Sequence, residues 1–359
     1  MLISAVEASV YSFPTPEPEA DGTLEWDATT AVVAHVRAGE HTGLGWTYST
    51  GAAAGVVAEH LSGAVTGRDS ADVAACHESM RRACRNLGTR GLVMQAISAV
   101  DIALWDLKAR TLDVPLPTLL GTVRDAVPIY GSGGFTTMSE EQLHAQVDEW
   151  LALGCRSMKI KIGESWGSKI DHDLARVGRL RRFAGADVRL MVDANGGYTR
   201  GQARRVGHAL DEVGVVWFEE PVSSDDVEGL AMLRDALHCD VTAGEYAADG
   251  YDAARLCPVV DCLQLDATRC GGYTGFMRGA AVAAVHNLDV SAHCAPALHA
   301  PVAAAVTNLR HIEYFADHAR LEPLLVEGVP PVRDGMLIPD RAVGHGYTLH
   351  PEADRWQTD

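Results

Sequence analysis

The segments MKIKIG at residues 158–163, VRLMVDAN at 188–195 and VVWFEEP at 215–221 decide the fold of this 359-residue chain. Each is a short apolar run with a charged residue near its end: Lys161 in the first, Asp193 in the second and Glu219 in the third. These residues follow one another at intervals of roughly 20 to 30, which suits one strand, one helix and two loops. The pattern predicts βα units with right-handed crossovers.

Five further segments repeat this pattern on either side of the first three. They are VPIYG (127–131), VTAGE (241–245), CLQLDA (262–267), DVSAHC (289–294) and RHIEYF (310–315). Eight such strands predict an α/β fold with a (β/α)₈ barrel of ~250 residues. The carboxyl ends of barrel strands meet at one mouth, so we expect seven ionisable residues to gather there. These are Lys161, Asp193, Glu219, Glu245, Asp266, His293 and Glu313.

The rest of the chain predicts a second domain. Three strands lie in LISAVEASVYSF (2–13), ATTAVVAHVRAG (28–39) and GLGWTY (43–48), with a loop at 14–26, and a helical pattern follows that includes a buried helix at 96–107. We therefore expect an α+β capping domain at residues 1–122 and the barrel at 123–322. The Pro/Gly-rich tail at 323–359 is expected to return to the capping domain.

Composition and charge restrict the possible partners. A formal charge of −18 argues against nucleic acid and anionic membrane surfaces. No apolar stretch approaches the ~20 residues that span a bilayer, and the N-terminus lacks signal-peptide features, so the cytoplasm is the expected location. Eight cysteines without a CxxC pair predict free thiols. Cys270 and Cys294 lie beside expected site residues and either line the pocket or are small buried thiols.

Three carboxylates at the ends of three successive strands predict a metal site. Asp193, Glu219 and Glu245 offer hard oxygen ligands without histidine or thiolate, which suits Mg²⁺ or Mn²⁺. A single acidic residue in such a place often only caps a helix or pairs with a lysine. Even spacing over three consecutive strands favours the metal.

Acid and base groups are expected around this metal. Alternation along the strand puts Lys159 and Lys161 on one face, where mutual repulsion, the cation and partial burial would depress a lysine pKa and make it a general base. Asp266 and His293 end neighbouring strands, so the carboxylate can orient the imidazole and favour its protonated form. Glu313 could be protonated and donate a hydrogen bond to a developing enolate oxygen.

The order KxK, DxN, EEP, GE, D…GG, His and a final strand Glu, with SAVDIALWDLKA and PLPTLLG upstream, resembles the mandelate racemase subgroup of the enolase superfamily. The resemblance implies Mg²⁺ on the three carboxylates, a base at Lys161, and the Asp266–His293 dyad on the opposite face. It also implies that Lys159 supports the substrate carboxylate, Glu313 the enolate, and Asn195 the ligand or its surroundings. Relatives form dimers or octamers, so a homo-oligomer is expected. The tail motif AVGHGYTL departs from the family pattern and leaves His345 either fortuitous or a capping-domain contact.

The resemblance implies abstraction of the proton α to a carboxylate, which gives an enediolate. We expect β-elimination of water from a sugar acid to follow and yield a 2-keto-3-deoxy acid, because polar groups at 14–26 and hydroxyls in TYST (47–50) should close over the pocket. A racemase, epimerase or cycloisomerase of an α-substituted acid is the alternative. A non-catalytic barrel that binds Mg²⁺ and an anion is a second alternative.

Overall fold

The computed structural model describes residues 1–358, and its N-terminal part is built on an antiparallel sheet. The sheet strands are β1 (Ala5–Ala20), β2 (Glu25–Ala38) and β3 (His41–Tyr48). The loop expected at residues 14–26 is wrong, because β1 and β2 continue as a ribbon to a turn at 21–24. The register shifts between Pro14 and Glu19, so Pro16 and Pro18, which cannot donate ladder hydrogen bonds, fall in the irregular part.

Helices cover one face of this sheet. They are α1 (Ala52–Val56), α2 (Ser62–Val65), α3 (Val73–Ala83), α4 (Leu92–Thr111) and α5 (Leu116–Leu120), with a π-helical turn at Val57–Leu61. The predicted buried helix is part of α4. Strand β3 approaches it so closely that a Cβ on Gly43 would lie 2.0 Å from the carbonyl oxygen of Ala103. Glycine is therefore required at this crossing.

Asp106 joins the sheet, helix α4 and the C-terminal tail. Its buried carboxylate accepts hydrogen bonds from the backbone N–H groups of Leu44 and His345, both at 2.9 Å, and from Arg110 Nε at 2.7 Å. His345 Nε2 in turn lies 2.8 Å from the carbonyl oxygen of Leu44. His345 is thus a contact within the capping domain.

Replacing Asp106 by Ala is expected to lower the free energy of unfolding by about 3–5 kcal/mol, because it leaves two backbone donors and a largely buried guanidinium without their partner. Urea denaturation followed by circular dichroism measures this loss. Asp106→Asn keeps one acceptor oxygen and should cost less. A loss below about 1 kcal/mol for the alanine variant would contradict the assignment.

Eight parallel strands form the predicted barrel and close it through a pairing between the first and the last. Their bounds are β4 (Val127–Gly133), β5 (Ser157–Lys161), β6 (Arg189–Asp193), β7 (Trp217–Glu219), β8 (Asp240–Ala243), β9 (Cys262–Leu265), β10 (Asp289–Ala292) and β11 (Leu309–Phe315). Most are shorter than the apolar runs that predicted them. Glu245, Asp266 and His293 therefore lie one or two residues beyond their strands.

Helices alternate with the barrel strands. They are α6 (Glu140–Ala152), α7 (Glu164–Gly167), α8 (Ile170–Ala184), α9 (Arg200–Glu212), α10 (Val227–Ala236), α11 (Gly250–Leu256), α12 (Gly272–Val285), α13 (Pro296–Ala303) and α14 (Ala316–Leu325), with a 3₁₀ turn at Cys257–Val259. Ser139 and Thr199 begin α6 and α9 with capping boxes. No helix within residues 1–358 is both long and apolar enough to cross a membrane.

Strand alternation separates the apolar core from the polar barrel interior. Met158 and Ile160 on β5 belong to the main hydrophobic core, while Lys159 and Lys161, which alternate with them, contact carboxylates of neighbouring strands. The two lysines thus share a face, as the sequence predicts. The interior of the barrel is where charge is concentrated.

The tail contacts both parts of the molecule. Its strands are β12 (Val326–Glu327), β13 (Val332–Arg333), β14 (Met336–Leu337), β15 (Thr348–Leu349) and β16 (Gln357–Thr358), with a 3₁₀ turn at Ala353–Trp356. Strand β14 pairs with barrel strand β4, whereas β16 pairs with β1. The return to the N-terminal sheet thus runs through β16. The domain limits at residues 122 and 322 stay a prediction.

Glu322 lies between the capping sheet and the barrel. Its carboxyl group accepts hydrogen bonds from the N–H of Ala297 at 3.0 Å and from the Tyr48 hydroxyl at 3.4 Å. Burial raises the pKa of Glu322 from 4.5 to about 8. The folded protein therefore holds a proton there that the unfolded chain loses at lower pH.

The stability that this proton supplies is fully present below about pH 4.5 and is lost as pH rises to about 8. Each pH unit in this window costs up to about 1.4 kcal/mol. Glu322→Gln cannot ionise and should show a flatter decline between pH 5 and 8. Urea denaturation across this range measures both proteins, and parallel profiles would contradict the expectation.

Candidate active site

Three buried carboxylates meet at the carboxyl end of the barrel. Asp193 ends β6, Glu219 ends β7 and Glu245 follows β8, and one oxygen from each lies within 4.8 Å of the others. Register places Asp193 directly beside Glu219 on neighbouring strands. Glu245 Oε2 is buried and accepts no well-aligned hydrogen bond, although His293 Nε2 lies 3.2 Å from it. Three buried hard oxygens that converge in this way fit Mg²⁺.

The two lysines of β5 lie against these carboxylates. Lys159 Nζ is 2.5 Å from Glu219 Oε1 and 2.8 Å from Glu313 Oε1, while Lys161 pairs with Asp193. Arg176 fixes the end of the strand, since its Nη1 donates to the carbonyl oxygen of Lys161 at 2.7 Å. Arg176 was not predicted as a site residue, because in the sequence it is indistinguishable from any basic residue on an amphipathic helix.

The protein's own side chains raise the pKa of Lys161, so the expected depression depends on the cation. Burial lowers the pKa of Lys161, but Asp193 and other carboxylates outweigh burial and raise it. The expectation counted the repulsion between the lysines and omitted the direct ion pair with Asp193. Neutralisation of that carboxylate is therefore needed before Lys161 can act as a base.

His293 and Asp266 form the expected dyad. His293 Nδ1 lies 2.9 Å from Asp266 Oδ2, and Nε2 lies 3.2 Å from Glu245 Oε2. Burial disfavours the imidazolium, but Cys294, the carboxylates of Glu245 and Glu313 and the hydrogen bond to Asp266 together raise the pKa of His293 well above its ordinary value. The geometry suits a proton donor. Cys294 Sγ is 3.3 Å from Nε2, so this thiol lies against the ring nitrogen that faces Glu245.

The cationic groups around Glu313 favour its ionised form and disfavour the expected protonated carboxyl. Burial raises its pKa, but Lys159 and His293 lower it to a net value below the ordinary range. The Ser132 hydroxyl donates to Oε1 at 2.6 Å, and the N–H of Cys294 donates to Oε2 at 2.9 Å. Glu313 therefore accepts hydrogen bonds and holds the Lys159 ammonium in place.

The remaining expected groups divide between the cavity and the core. Asn195 lines the cavity, and its N–H donates to Asp193 Oδ1 at 2.8 Å. Tyr48 and Ser49 of TYST also line it, whereas the Thr47 hydroxyl donates to the carbonyl oxygen of Thr268. All eight cysteines, which lie within residues 1–358, are free and buried. Cys270 does not line the active-site cavity.

The active-site cavity has a volume of about 280 Å³, and the tip of the β1–β2 ribbon lines its capping side. Lys161, His293 and Glu245 line the barrel side, and Asp21 and Thr29 line the capping side. The polar groups expected to close over the pocket include four acidic residues, Glu17, Glu19, Asp21 and Glu25. Within residues 1–358, Asp21 is the one of these four that lines the cavity. Glu19 instead accepts hydrogen bonds from Arg320 and Trp26.

The ribbon tip docks on the loop that follows Lys161. Gly22 faces this loop so closely that a Cβ would lie 2.4 Å from the carbonyl oxygen of Ile162 and 2.8 Å from that of Gly163. The carbonyl oxygen of Gly22 accepts from the N–H of Trp166 at 2.9 Å. Gly163 has φ +81°, which favours glycine. The ribbon tip and the loop after β5 therefore pack closely at Gly22, and Gly163 supplies the backbone conformation of that loop.

Glu220 and Arg269 are two further site residues that were not predicted from the sequence. Glu220 is the second Glu of EEP and is buried, with Oε1 unpaired. Arg269 Nη1 lies 2.9 Å from Glu245 Oε1 and its Nε 3.4 Å from Asp266 Oδ2. The EEP motif and the position of Arg269 between Asp266 and GG were the available signals.

A buried acidic cluster at a barrel mouth, flanked by lysines and a histidine–aspartate dyad, defines an acid–base enzyme. Residues 142–353 match the family described as enolase C-terminal domain-like, and residues 14–121 match the mandelate racemase / muconate lactonizing enzyme N-terminal domain. The chain belongs to the mandelate racemase subgroup of the enolase superfamily.

Several characterised proteins are similar over most of their length. L-talarate/galactarate dehydratase of Salmonella typhimurium is 33% identical, with 90% of this chain and 82% of the relative covered. 3,6-Anhydro-alpha-L-galactonate cycloisomerase of Streptomyces coelicolor is 32% identical, with 97% of each covered. These relatives catalyse two kinds of reaction within the same family.

Solved structures show the same architecture. A mandelate racemase/muconate lactonizing enzyme-like protein from Rubrobacter xylanophilus has a TM-score of 0.96 at 42% identity, with 100% of both chains covered. The Salmonella dehydratase liganded with Mg and L-lyxarohydroxamate has a TM-score of 0.91 at 29% identity, with 100% of this chain and 93% of that chain covered.

Proposed function

We propose that this protein is a Mg²⁺-dependent sugar-acid dehydratase that converts its substrate to a 2-keto-3-deoxy acid. The observation that supports this most directly is that Lys161 and His293 line one cavity beside the carboxylate cluster, with Asp266 hydrogen-bonded to the imidazole of His293. The dehydratase and Mg-liganded relatives support the same reaction and cofactor. Asp193, Glu219 and Glu245 would hold the ion.

In the proposed reaction, different residues act as the base, as the acid and as the group that holds the substrate carboxylate. Bound Mg²⁺ supplies positive charge that offsets the three carboxylates and the enediolate oxygens. Lys161 accepts the α-proton at Nζ, and Lys159 supports the substrate carboxylate. His293, which the surrounding carboxylates keep protonated, donates from Nε2 to the departing β-hydroxyl. Asp266 holds the imidazole through Nδ1.

A cycloisomerase or racemase is the second candidate, and the Streptomyces relative favours it. The same base and acid would then return the proton to carbon or close a ring. A non-catalytic binder would have no use for a lysine and a histidine dyad in one cavity.

Incubation with Mg²⁺ and a sugar-acid library in D₂O tests the proposal. Formation of an α-keto product is the expected result. Deuterium exchange at the α-carbon without that product would point to a racemase or cycloisomerase. Failure to convert or exchange any acid in a broad library would contradict an enzyme of either type.

The same proposal includes the setting in which the enzyme works. We propose a cytoplasmic homo-oligomer, a dimer or octamer, with a small carboxylate as its partner. The charge of −18 supports the exclusion of nucleic acid and anionic membranes. Size-exclusion chromatography with light scattering tests the oligomeric state.

A further inference from the structure

Three side chains of different ligand chemistry lie together on the acid side of the active site. They are the imidazole of His293, the thiol of Cys294 and the carboxylate of Glu313, and one ligand atom from each lies within 4.8 Å of the others. All three side chains are buried. The set is distinct from the three carboxylates of the proposed Mg²⁺ site, and the proposed reaction gives the thiol no part. We call this set the thiol cluster.

The distances within the thiol cluster fit one small cation. His293 Nε2 lies 3.3 Å from Cys294 Sγ and 3.8 Å from Glu313 Oε2. Zn²⁺ binds sulfur at about 2.3 Å and nitrogen or oxygen at about 2.0–2.2 Å, so the ligand atoms around a tetrahedral ion lie roughly 3.3–3.6 Å apart. Small shifts of these side chains are therefore enough to place an ion between them.

Neighbouring groups orient the three ligands. His293 Nδ1 lies 2.9 Å from Asp266 Oδ2, the arrangement in which a carboxylate directs the other ring nitrogen towards a metal. Glu313 Oε1 accepts from the Ser132 hydroxyl at 2.6 Å, and Oε2 accepts from the N–H of Cys294 at 2.9 Å. This last hydrogen bond ties the backbone of Cys294, which has the unusual φ of +53°, to Glu313. The ligands are thus held together by the protein itself.

The thiol cluster can be reached from the active-site cavity. His293 and Cys294 line that cavity, whereas Glu313 is fully buried. An ion that enters from the cavity can bind all three and keep one coordination position open to it. Glu245 Oε2, 3.2 Å from His293 Nε2, adds negative charge beside the site. Divalent ions only about 3.5–4 Å apart occur together in enzymes, so Mg²⁺ on its own carboxylates leaves room for a second ion.

The ligand chemistry of the thiol cluster selects the ion. Mg²⁺ prefers oxygen ligands alone, whereas a thiolate is a soft ligand and an imidazole suits transition metals and zinc. Zn²⁺ accepts sulfur, nitrogen and oxygen ligands in one tetrahedral site and commonly takes three of them from the protein. The thiol cluster therefore favours Zn²⁺ over Mg²⁺.

We propose that the thiol cluster is a Zn²⁺ site and that Zn²⁺ bound there inhibits the enzyme. On binding, Zn–S and Zn–N bonds replace the S–H bond of Cys294 and any N–H bond at His293 Nε2, and the protons pass to water. The inhibition rests on the proposed function, in which Nε2 donates a proton to the departing hydroxyl, but the binding does not. An imidazole that holds Zn²⁺ at Nε2 has no proton to donate there, so Mg²⁺ and Zn²⁺ have opposite effects on turnover.

Co²⁺ tests the ligands, because it replaces Zn²⁺ in such sites and absorbs strongly in the near ultraviolet when a thiolate binds it. Titration of the wild-type protein at saturating Mg²⁺ should produce this absorption with one Co²⁺ per chain. Cys294→Ser should abolish it. Cys270→Ser, which changes a buried thiol that does not line the active-site cavity, should keep it. Absence of the absorption in the wild type, or its persistence in Cys294→Ser, would overturn the proposal.

A variant that keeps the thiol tests the histidine ligand. Loss of a residue that only orients a metal ligand already lowers metal affinity about 10–100-fold. His293→Asn should therefore weaken Co²⁺ binding, read from the same absorption, at least about 10-fold. An unchanged affinity in this variant would overturn the assignment of His293.

Zinc inhibition tests the effect on turnover at saturating Mg²⁺. The Zn²⁺ concentration that halves kcat/KM should be at least about 10-fold higher for Cys294→Ser than for the wild type and Cys270→Ser, each compared with its own rate without Zn²⁺. Equal sensitivity would show that Zn²⁺ acts elsewhere and would overturn the inhibitory role. If the wild type converts no sugar acid, the dehydratase proposal fails, and the Co²⁺ titration still decides whether the site exists.

Discussion

Replacing His293 by Asn should reduce dehydration about 10²–10⁴-fold and leave exchange of the α-proton in D₂O intact. Replacing Lys161 by Ala should abolish both. The difference arises because Lys161 accepts the α-proton whereas His293 donates to the departing hydroxyl. Proton NMR in D₂O follows exchange, and an assay for the α-keto product follows dehydration in the same samples.

A surface histidine provides the matched control for this pair. His208 is exposed on helix α9, and His208→Asn should leave exchange and dehydration at wild-type rates. If His293→Asn lost exchange and Lys161→Ala kept it, the base would lie on the opposite face from the one proposed. Full activity in both variants would refute the roles of both residues.

Replacing Asp193 by Asn should weaken Mg²⁺ binding at least about 100-fold and abolish turnover. Loss of a residue that only hydrogen-bonds a metal ligand typically lowers metal affinity by about 10–100-fold. Asp193 is itself one of the proposed ligands, so we expect a loss at least as large. In the wild type, EDTA should remove activity and lower Tm, because an ion at 100 times its Kd stabilises the folded state by about 2.7 kcal/mol. Calorimetric titration and thermal denaturation measure the two effects.

The exposed Asp235 on α10 supplies the control for the metal site. Asp235→Asn removes the same charge without touching the cluster, so its Mg²⁺ affinity and its Mg²⁺-dependent rise in Tm should match the wild type. An Asp193→Asn variant that kept the wild-type rise in Tm would show that the ion binds elsewhere.

The barrel could be predicted from sequence because its signal repeats. Eight short apolar runs at nearly constant spacing fit few chain topologies. The right-handed crossover of βα units selects one of these topologies. The N-terminal ribbon was harder, because Pro14, Pro16 and Pro18 are typical of loops. Their place in an irregular stretch of a long antiparallel pair depends on Trp26 and Ala28 of the opposite strand, a relation that local patterns do not show.

The positions of the charged groups could be predicted, but their protonation could not. Lys161, Asp193 and Glu219 end three neighbouring strands, so formation of the barrel brings them together. The charge on each group depends on distances, such as the 2.8 Å from Lys159 Nζ to Glu313 Oε1, that only the folded chain sets. The expected pKa of Lys161 took account of the neighbouring lysine but not of the Asp193 carboxylate, and the expected protonation of Glu313 took no account of the Lys159 ammonium.

The docking of Gly22 against Gly163 restricts how this enzyme can be redesigned. The capping side of the cavity is formed by a ribbon that is distant in sequence from the barrel. Exchange of this ribbon between relatives is therefore a route to altered substrate choice. A graft that introduces a side chain at residue 22 would separate the ribbon from the loop after Lys161. A side chain at residue 163 would strain that loop itself, because φ is +81° there and a Cβ would lie 3.0 Å from the carbonyl oxygen of Ala194. A chimera should therefore inherit both glycines as a pair and vary the sequence around them.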